Sequence, residues 1–357
     1  VPAPLSAETL RRAPKVLLHD HLDGGLRPQT VLELADEVGY RDLPAGDAAA
    51  LGVWFRQAAD SGSLVRYLET FAHTVGVMQR PEAVQRVARE CALDLAADGV
   101  VYAEVRMAPE LVAGSMPIEE AVEAMLDGYA AGMKEATTGG TPITVGTLLC
   151  AMRQNDRWDE VAGLVVRYRD AGVVGFDLAG PEDGFPPDRI PSAIALLDRA
   201  GAHRTIHAGE AAGVESIRAA LDGARAERLG HGVRIADEVL EDGALGPVAV
   251  RVREEQVPLE VAPSSNVQTG AYPSLAAHPV DRLHRLGFAV TLNTDNRLMS
   301  GVSVTSEFTD VVTTFGWGWD DVARVTERAL AAAFADDAEK ARLRDDVVRP
   351  GYAALRA

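Results

Sequence analysis

The chain has 357 residues, is 47% hydrophobic and carries a formal charge of −18. It therefore has apolar residues enough for a large core, but not the clustered basic surface that a phosphate backbone or an anionic membrane requires. Two cysteines, Cys91 and Cys150, make no disulfide framework and fit a reducing compartment.

Residues 1–4 show no basic segment leading into an apolar one, and no run approaches a membrane span. A cytoplasmic location is expected. Short apolar, β-branched runs predict strands at 15–23, 99–109, 143–153, 173–180, 203–210, 228–235, 257–266 and 288–296. Between them apolar residues recur at helical spacing. In 81–97 a proline opens the segment, and Val84, Val87, Ala88, Cys91 and Leu95 share one face. Segments 118–135, 157–171, 191–200, 214–221 and 279–286 continue the series. Strand–helix alternation predicts a parallel sheet covered by helices, and eight units fit an α/β (β/α)8 TIM barrel. No Gly-x-Gly-x-x-Gly turn follows the first strand, which argues against a dinucleotide fold. No low-complexity linker divides the chain, so one domain over 1–357 is expected.

The stretch 26–90 is too long for one crossover helix. It carries Trp54, Phe55, Leu64, Tyr67, Leu68 and Phe71. Two readings apply to different residues of this set: helix packing, and a helical, apolar lid over the barrel mouth.

Barrel enzymes place their chemistry at the carboxyl ends of the strands. Six predicted strands end in polar clusters: His19-Asp20-His21-Leu22-Asp23, Asp177-Leu178-Ala179-Gly180, His207-Ala208-Gly209-Glu210, Gly230-His231-Gly232, Pro263-Ser264-Ser265-Asn266 and Asn293-Thr294-Asp295-Asn296. His19 and His21 are two apart and leave one strand face together. With a third imidazole and a carboxylate they make a divalent-metal site, for which zinc is the usual ion. His207 and Asp295 are the candidates for the remaining ligands. Glu210, three residues past His207, is placed to move a proton. His231 is either a ligand or an electrostatic partner of the attacking group. His73, His203, His278 and His284 read as structural, Cys150 as a small core residue, and Trp317 and Trp319 as packing residues.

Taken in order, these clusters resemble the adenosine deaminase family. The same holds for Tyr102-Ala103-Glu104-Val105-Arg106, Leu149-Cys150-Ala151-Met152-Arg153 and Arg228-Leu229-Gly230-His231-Gly232. The match runs from the first strand to the eighth. It implies a barrel with one zinc per chain held by His19, His21, His207 and Asp295. It implies that Glu210 protonates purine N1 while hydroxide attacks C6, with Asp295 and His231 activating and orienting that hydroxide. Gly180 would donate its N–H to purine N3, and Asp23 would hold the ribose 5′-hydroxyl. Leu64, Tyr67, Leu68 and Phe71 resemble the family's hydrophobic lid.

One position departs from the pattern. Asn296 stands where many members carry a second Asp, facing purine N7. N7 accepts, and an amide N–H2 donates at any pH, so the exchange is compatible with a purine. The following Arg297 replaces a common Pro. The expected reaction is hydrolytic deamination of adenosine and 2′-deoxyadenosine to inosine and ammonia. The alternative is another 6-aminopurine: adenine, or a 5′-modified adenosine such as aminofutalosine. A nucleoside-binding protein without activity would not need Glu210 and His231. A two-metal hydrolase would need a bridging lysine, which no strand end offers. The expected partner is a small purine nucleoside, not nucleic acid or membrane; oligomeric state is left open.

Overall fold

Eight strands pair in sequence order: β1 Lys15–His21, β2 Val100–Met107, β3 Thr144–Met152, β4 Val173–Ala179, β5 His203–Ala208, β6 Arg228–His231, β7 Leu259–Val261 and β8 Val290–Leu292. Every neighbouring pair is parallel. The computed structural model describes residues 5–356; the segment 1–4, read above for leader signals, lies outside them. The ring closes just past β8. His21 N donates to Asp295 O at 2.7 Å and Asp295 N to His19 O at 2.9 Å, while Asn293 Oδ1 accepts from Leu18 N and His19 N. This is the (β/α)8 TIM barrel that the alternation predicts. The strands are buried almost throughout, as expected of parallel strands covered by helices.

Part of the barrel interior is charged. Glu260 on β7 accepts from Arg106 Nη2 at 2.8 Å and from Arg228 Nε at 2.7 Å, and Arg228 also pairs with Glu104. All four side chains are essentially inaccessible. Such charges persist only when each is paired.

Three predicted strands end well short of their expected bounds: β6, β7 and β8, the last at Leu292. His231 (φ 63°) and Gly232 (φ 66°) turn the chain out of β6, and residues 233–238 form a 3-10 helix. Pro263 opens a short helix, Pro263–Gln268, so Ser264, Ser265 and Asn266 belong to a helix rather than to a strand end. The sequence reading also lacks the helix Pro247–Glu254 between β6 and β7.

Helix α1, Ala7–Arg12, precedes β1. Between β1 and β2 lie α2 Pro28–Val38, α3 Ala48–Ala59, α4 Leu64–Glu69, α5 Phe71–Val77 and α6 Pro81–Ala97. Phe55 is fully buried, and Trp54 packs on Phe55 and His73; these are the packing residues of the insertion. Leu64, Tyr67 and Leu68 of α4 and Phe71 of α5 instead line the cavity over the barrel mouth. Among the described residues no helix is long and apolar enough to cross a membrane.

Candidate active site

Five predicted residues converge at the carboxyl ends of β1, β5, β6 and β8. Ligand atoms of His19, His207, His231 and Asp295 all lie within 4.8 Å of one another. His21 Nε2 is 3.3 Å from His207 Nε2 and 3.4 Å from Asp295 Oδ1, and His19 Nε2 is 3.2 Å from the same oxygen. His21 and His231 thus compete for the fourth place beside His19, His207 and Asp295.

The donor set suits a divalent ion. His19 Nε2 is buried, makes no well-formed hydrogen bond and faces Asp295 Oδ1 at 3.2 Å; an ion held between the two would satisfy both. The other ring nitrogens of His19 and His207 are occupied. His19 Nδ1 meets Glu260 Oε2 at 2.9 Å, and His207 Nδ1 meets Asp177 Oδ2 at 3.0 Å. This carboxylate–imidazole pattern leaves each Nε2 free to bind a metal. Arg106 links both carboxylates, donating from Nη1 to Asp177 and from Nη2 to Glu260. Burial raises both carboxyls, yet His207 and Arg106 hold Asp177, and Arg106 and Arg228 hold Glu260, well below the carboxylate range.

Asp295 (φ 56°) and His231 (φ 63°) both occupy the left-handed region, an uncommon and mildly strained conformation for such residues. The backbone bonds to β1 hold Asp295 there, and Ser265 Oγ donates to its Oδ2 at 2.6 Å.

Glu210 faces the same cavity. Thr269 Oγ1 donates to its Oε1 at 3.0 Å, and its Oε2 lies 3.6 Å from His231 Nε2. Burial, with the neighbouring charges of Asp295 and Glu182, pushes its carboxyl well above the usual range. A carboxyl raised in this way keeps its proton to higher pH than an ordinary glutamate, the direction a general acid requires. Its loop is clamped by Glu182. That carboxylate accepts from the backbone N–H groups of Gly209, Glu210, Ala211 and Ala212 at 2.5–3.0 Å, and from Ser216 Oγ at 2.5 Å.

The cavity encloses about 290 Å³, close to the lower bound for small-molecule sites. Asp23, Gly180 and Asn296 line it together with the α4–α5 residues, so every predicted substrate-contact residue faces it. Burial pushes the Asp23 carboxyl up to about 7, and its Oδ1 has no partner. Gly180 has φ 103°, and a Cβ there would meet Gln154 Oε1 at 2.5 Å, so the position requires glycine. Cys150 also lines the cavity, with Sγ donating to Asp177 Oδ2 at 3.2 Å.

The sequence reading missed Glu182, Glu260, Thr269 and the role of Arg106. Glu260 carries a signal, a carboxylate between Leu259 and Val261 that burial obliges to pair. Glu182 and Thr269 sit in polar stretches and carry none.

The adenosine deaminase family model matches residues 14–350. The chain is 55% identical over 357 residues to the adenosine deaminase of Mycolicibacterium vanbaalenii, covering 99% of each chain. It is 56% identical to adenosine deaminase 1 of Streptomyces coelicolor, covering 99% of this chain and 90% of that one. Its fold is similar to the crystal structure of adenine deaminase from Arthrobacter aurescens, with TM-score 0.82, 27% identity, and 94% and 98% of the two chains covered.

Proposed function

The chain belongs to the adenosine deaminase family, and we propose that its centre hydrolytically deaminates adenosine and 2′-deoxyadenosine to inosine and ammonia, with one zinc ion per chain. The observation that carries this reading is the buried Glu210 carboxyl beside His231 and the Asp295 cluster, in one cavity lined by the apolar residues Leu64, Tyr67, Leu68 and Phe71.

His19, His21, His207 and Asp295 would hold the ion. A divalent ion there supplies Lewis acidity, which lowers the pKa of a bound water toward neutrality. Glu210 gives its proton to purine N1, which makes C6 electron-poor and open to addition. Asp295 and His231 orient the water whose oxygen replaces the 6-amino group; one of its two protons restores Glu210 and the other goes to the amino group, which leaves as ammonia. Gly180 offers its N–H to N3, Asn296 its amide to N7, and Asp23 its carboxyl to the 5′-hydroxyl. Leu64, Tyr67, Leu68 and Phe71 exclude bulk water, which strengthens these polar contacts.

The similarity in fold to an adenine deaminase keeps other 6-aminopurines as the second reading. Among the described residues that line the cavity there is no lysine or arginine, so an anionic 5′ substituent finds no countercharge. Steady-state rates for adenosine, 2′-deoxyadenosine, adenine and 5′-modified adenosines separate the readings. Adenosine should exceed adenine in kcat/KM by roughly 100-fold or more, because lost hydrogen bonds leave Asp23 unpaired. A preference for adenine or for a 5′-modified nucleoside would transfer the assignment to that substrate. A cytoplasmic location accords with the two buried free thiols.

A further inference from the structure

Behind His231 runs a line of hydrogen bonds whose direction is set at its far end. The backbone N–H of Val280 donates to His278 Nδ1 at 3.2 Å. A backbone amide offers only a donor, so Nδ1 carries no hydrogen and the ring's one N–H is at Nε2. That Nε2 lies 3.2 Å from Asn266 Oδ1, which accepts from it. The Asn266 amide is thereby oriented, and its Nδ2 donates to His231 Nδ1 at 3.0 Å. The opposite orientation would set N–H against N–H at His278. His231 Nδ1 is therefore bare, and its hydrogen is on Nε2, the atom that faces Glu210 Oε2 at 3.6 Å. His278, Asn266 and His231 are all buried, so solvent does not relax the constraint.

We infer that His278 is a positioning residue that acts through Asn266 to hold His231 as its Nε2–H tautomer, a hydrogen-bond donor toward the reacting position. A ring nitrogen that bears hydrogen does not ligate a metal. The relay thus removes His231 from the ligand group and leaves the fourth place to His21. The effect on rate rests on the deaminase reading; the tautomer itself does not.

Long-range proton–nitrogen correlation spectra of the metal-loaded protein identify the protonated nitrogen of each neutral imidazole, with His231→Asn assigning the signal. The parent should show His231 as Nε2–H. In Asn266→Asp both carboxylate oxygens accept, so the hydrogen moves to His231 Nδ1. The kcat for adenosine should then fall by roughly 10²- to 10⁴-fold, as for other wrong-tautomer variants, with KM and metal content little altered. His278→Phe frees Asn266 to turn and should lose roughly tenfold. His278→Gln accepts from Val280 and donates to Asn266, and should recover most of that loss. An Nδ1–H tautomer in the parent, or an Nε2–H tautomer retained in Asn266→Asp, would overturn the relay; parent-like kcat in Asn266→Asp with the tautomer moved would overturn its effect on rate. If Glu210→Gln kept parent turnover while His231 remained Nε2–H, the catalytic reading would fall and the relay would stand.

Discussion

Arg297 Nε lies 3.0 Å from Asp20 Oδ1 and 3.1 Å from Oδ2, and this pair joins the segment after β8 to β1. Asp20 stands between His19 and His21, and Arg297 follows Asp295 and Asn296, so the contact lies beside the proposed metal ligands. Thr294 Oγ1 donates to the same carboxylate at 2.7 Å, and Arg297 Nη2 meets Cys91 Sγ at 3.0 Å. Arg297 thus helps to close the barrel.

Arg297→Met should leave Asp20 buried without its countercharge. Removing one partner of a buried pair costs about 3–5 kcal/mol. Denaturant unfolding should show that loss, with the midpoint falling. A midpoint equal to the parent's would mean that Thr294 alone satisfies Asp20.

The eight strands are legible because parallel strands buried on both faces read as near-continuous apolar runs. Their carboxyl ends are less legible. Nothing in Arg228-Leu229-Gly230-His231 announces that His231 adopts a left-handed conformation, since the backbone contacts that stabilise it come from distant segments. The paired histidines, Glu210 and Asp295 are legible because polar clusters closing apolar runs have few other uses. Glu182 is not: four of its five donors are backbone N–H groups, which leave no trace in residue identity. His278 reads as structural because a His-Pro at a helix start suits a cap, and its bond to Asn266 depends on how the turn between them folds.

The ligand assignment predicts metal content. Elemental analysis of the purified protein should find about one zinc per chain, as for a mononuclear catalytic site. His207→Ala should reduce both zinc content and deamination rate. Full activity in metal-free protein would contradict the assignment.

Asn296 is buried against the cavity, and its Oδ1 approaches Gly24 so closely that a Cβ there would lie 2.0 Å away. If its amide donates to purine N7, a 7-deaza analogue leaves that N–H unpaired. Such a loss costs about 1–3 kcal/mol, or roughly a 10- to 100-fold weaker competition against adenosine. Asn296→Asp must take up a proton before it can donate, so its activity should depend more on pH than the parent's. Equal binding of the 7-deaza and parent ligands would show that Asn296 does not read N7.

Glu307 provides a pH signature in stability. It is buried, its Oε1 has no partner, and burial pushes its carboxyl up to about 8. The folded state then binds more protons than the unfolded state from the ordinary glutamate range up to about pH 8. Its stabilisation is full below that range and is lost as pH rises through about 8. Glu307→Gln removes the titration and should flatten the decline, by on the order of 5 kcal/mol across the window. Parallel stability–pH curves for parent and variant would place the decline elsewhere.

In the proposed reaction Glu210 delivers the proton that makes C6 reactive. Glu210→Gln keeps the shape and removes that proton. With zinc content verified as unchanged, its kcat for adenosine should fall by roughly two to four orders of magnitude, as expected for lost acid–base catalysis. A Gln variant that holds its zinc and turns over adenosine at the parent rate would rule out that role for Glu210.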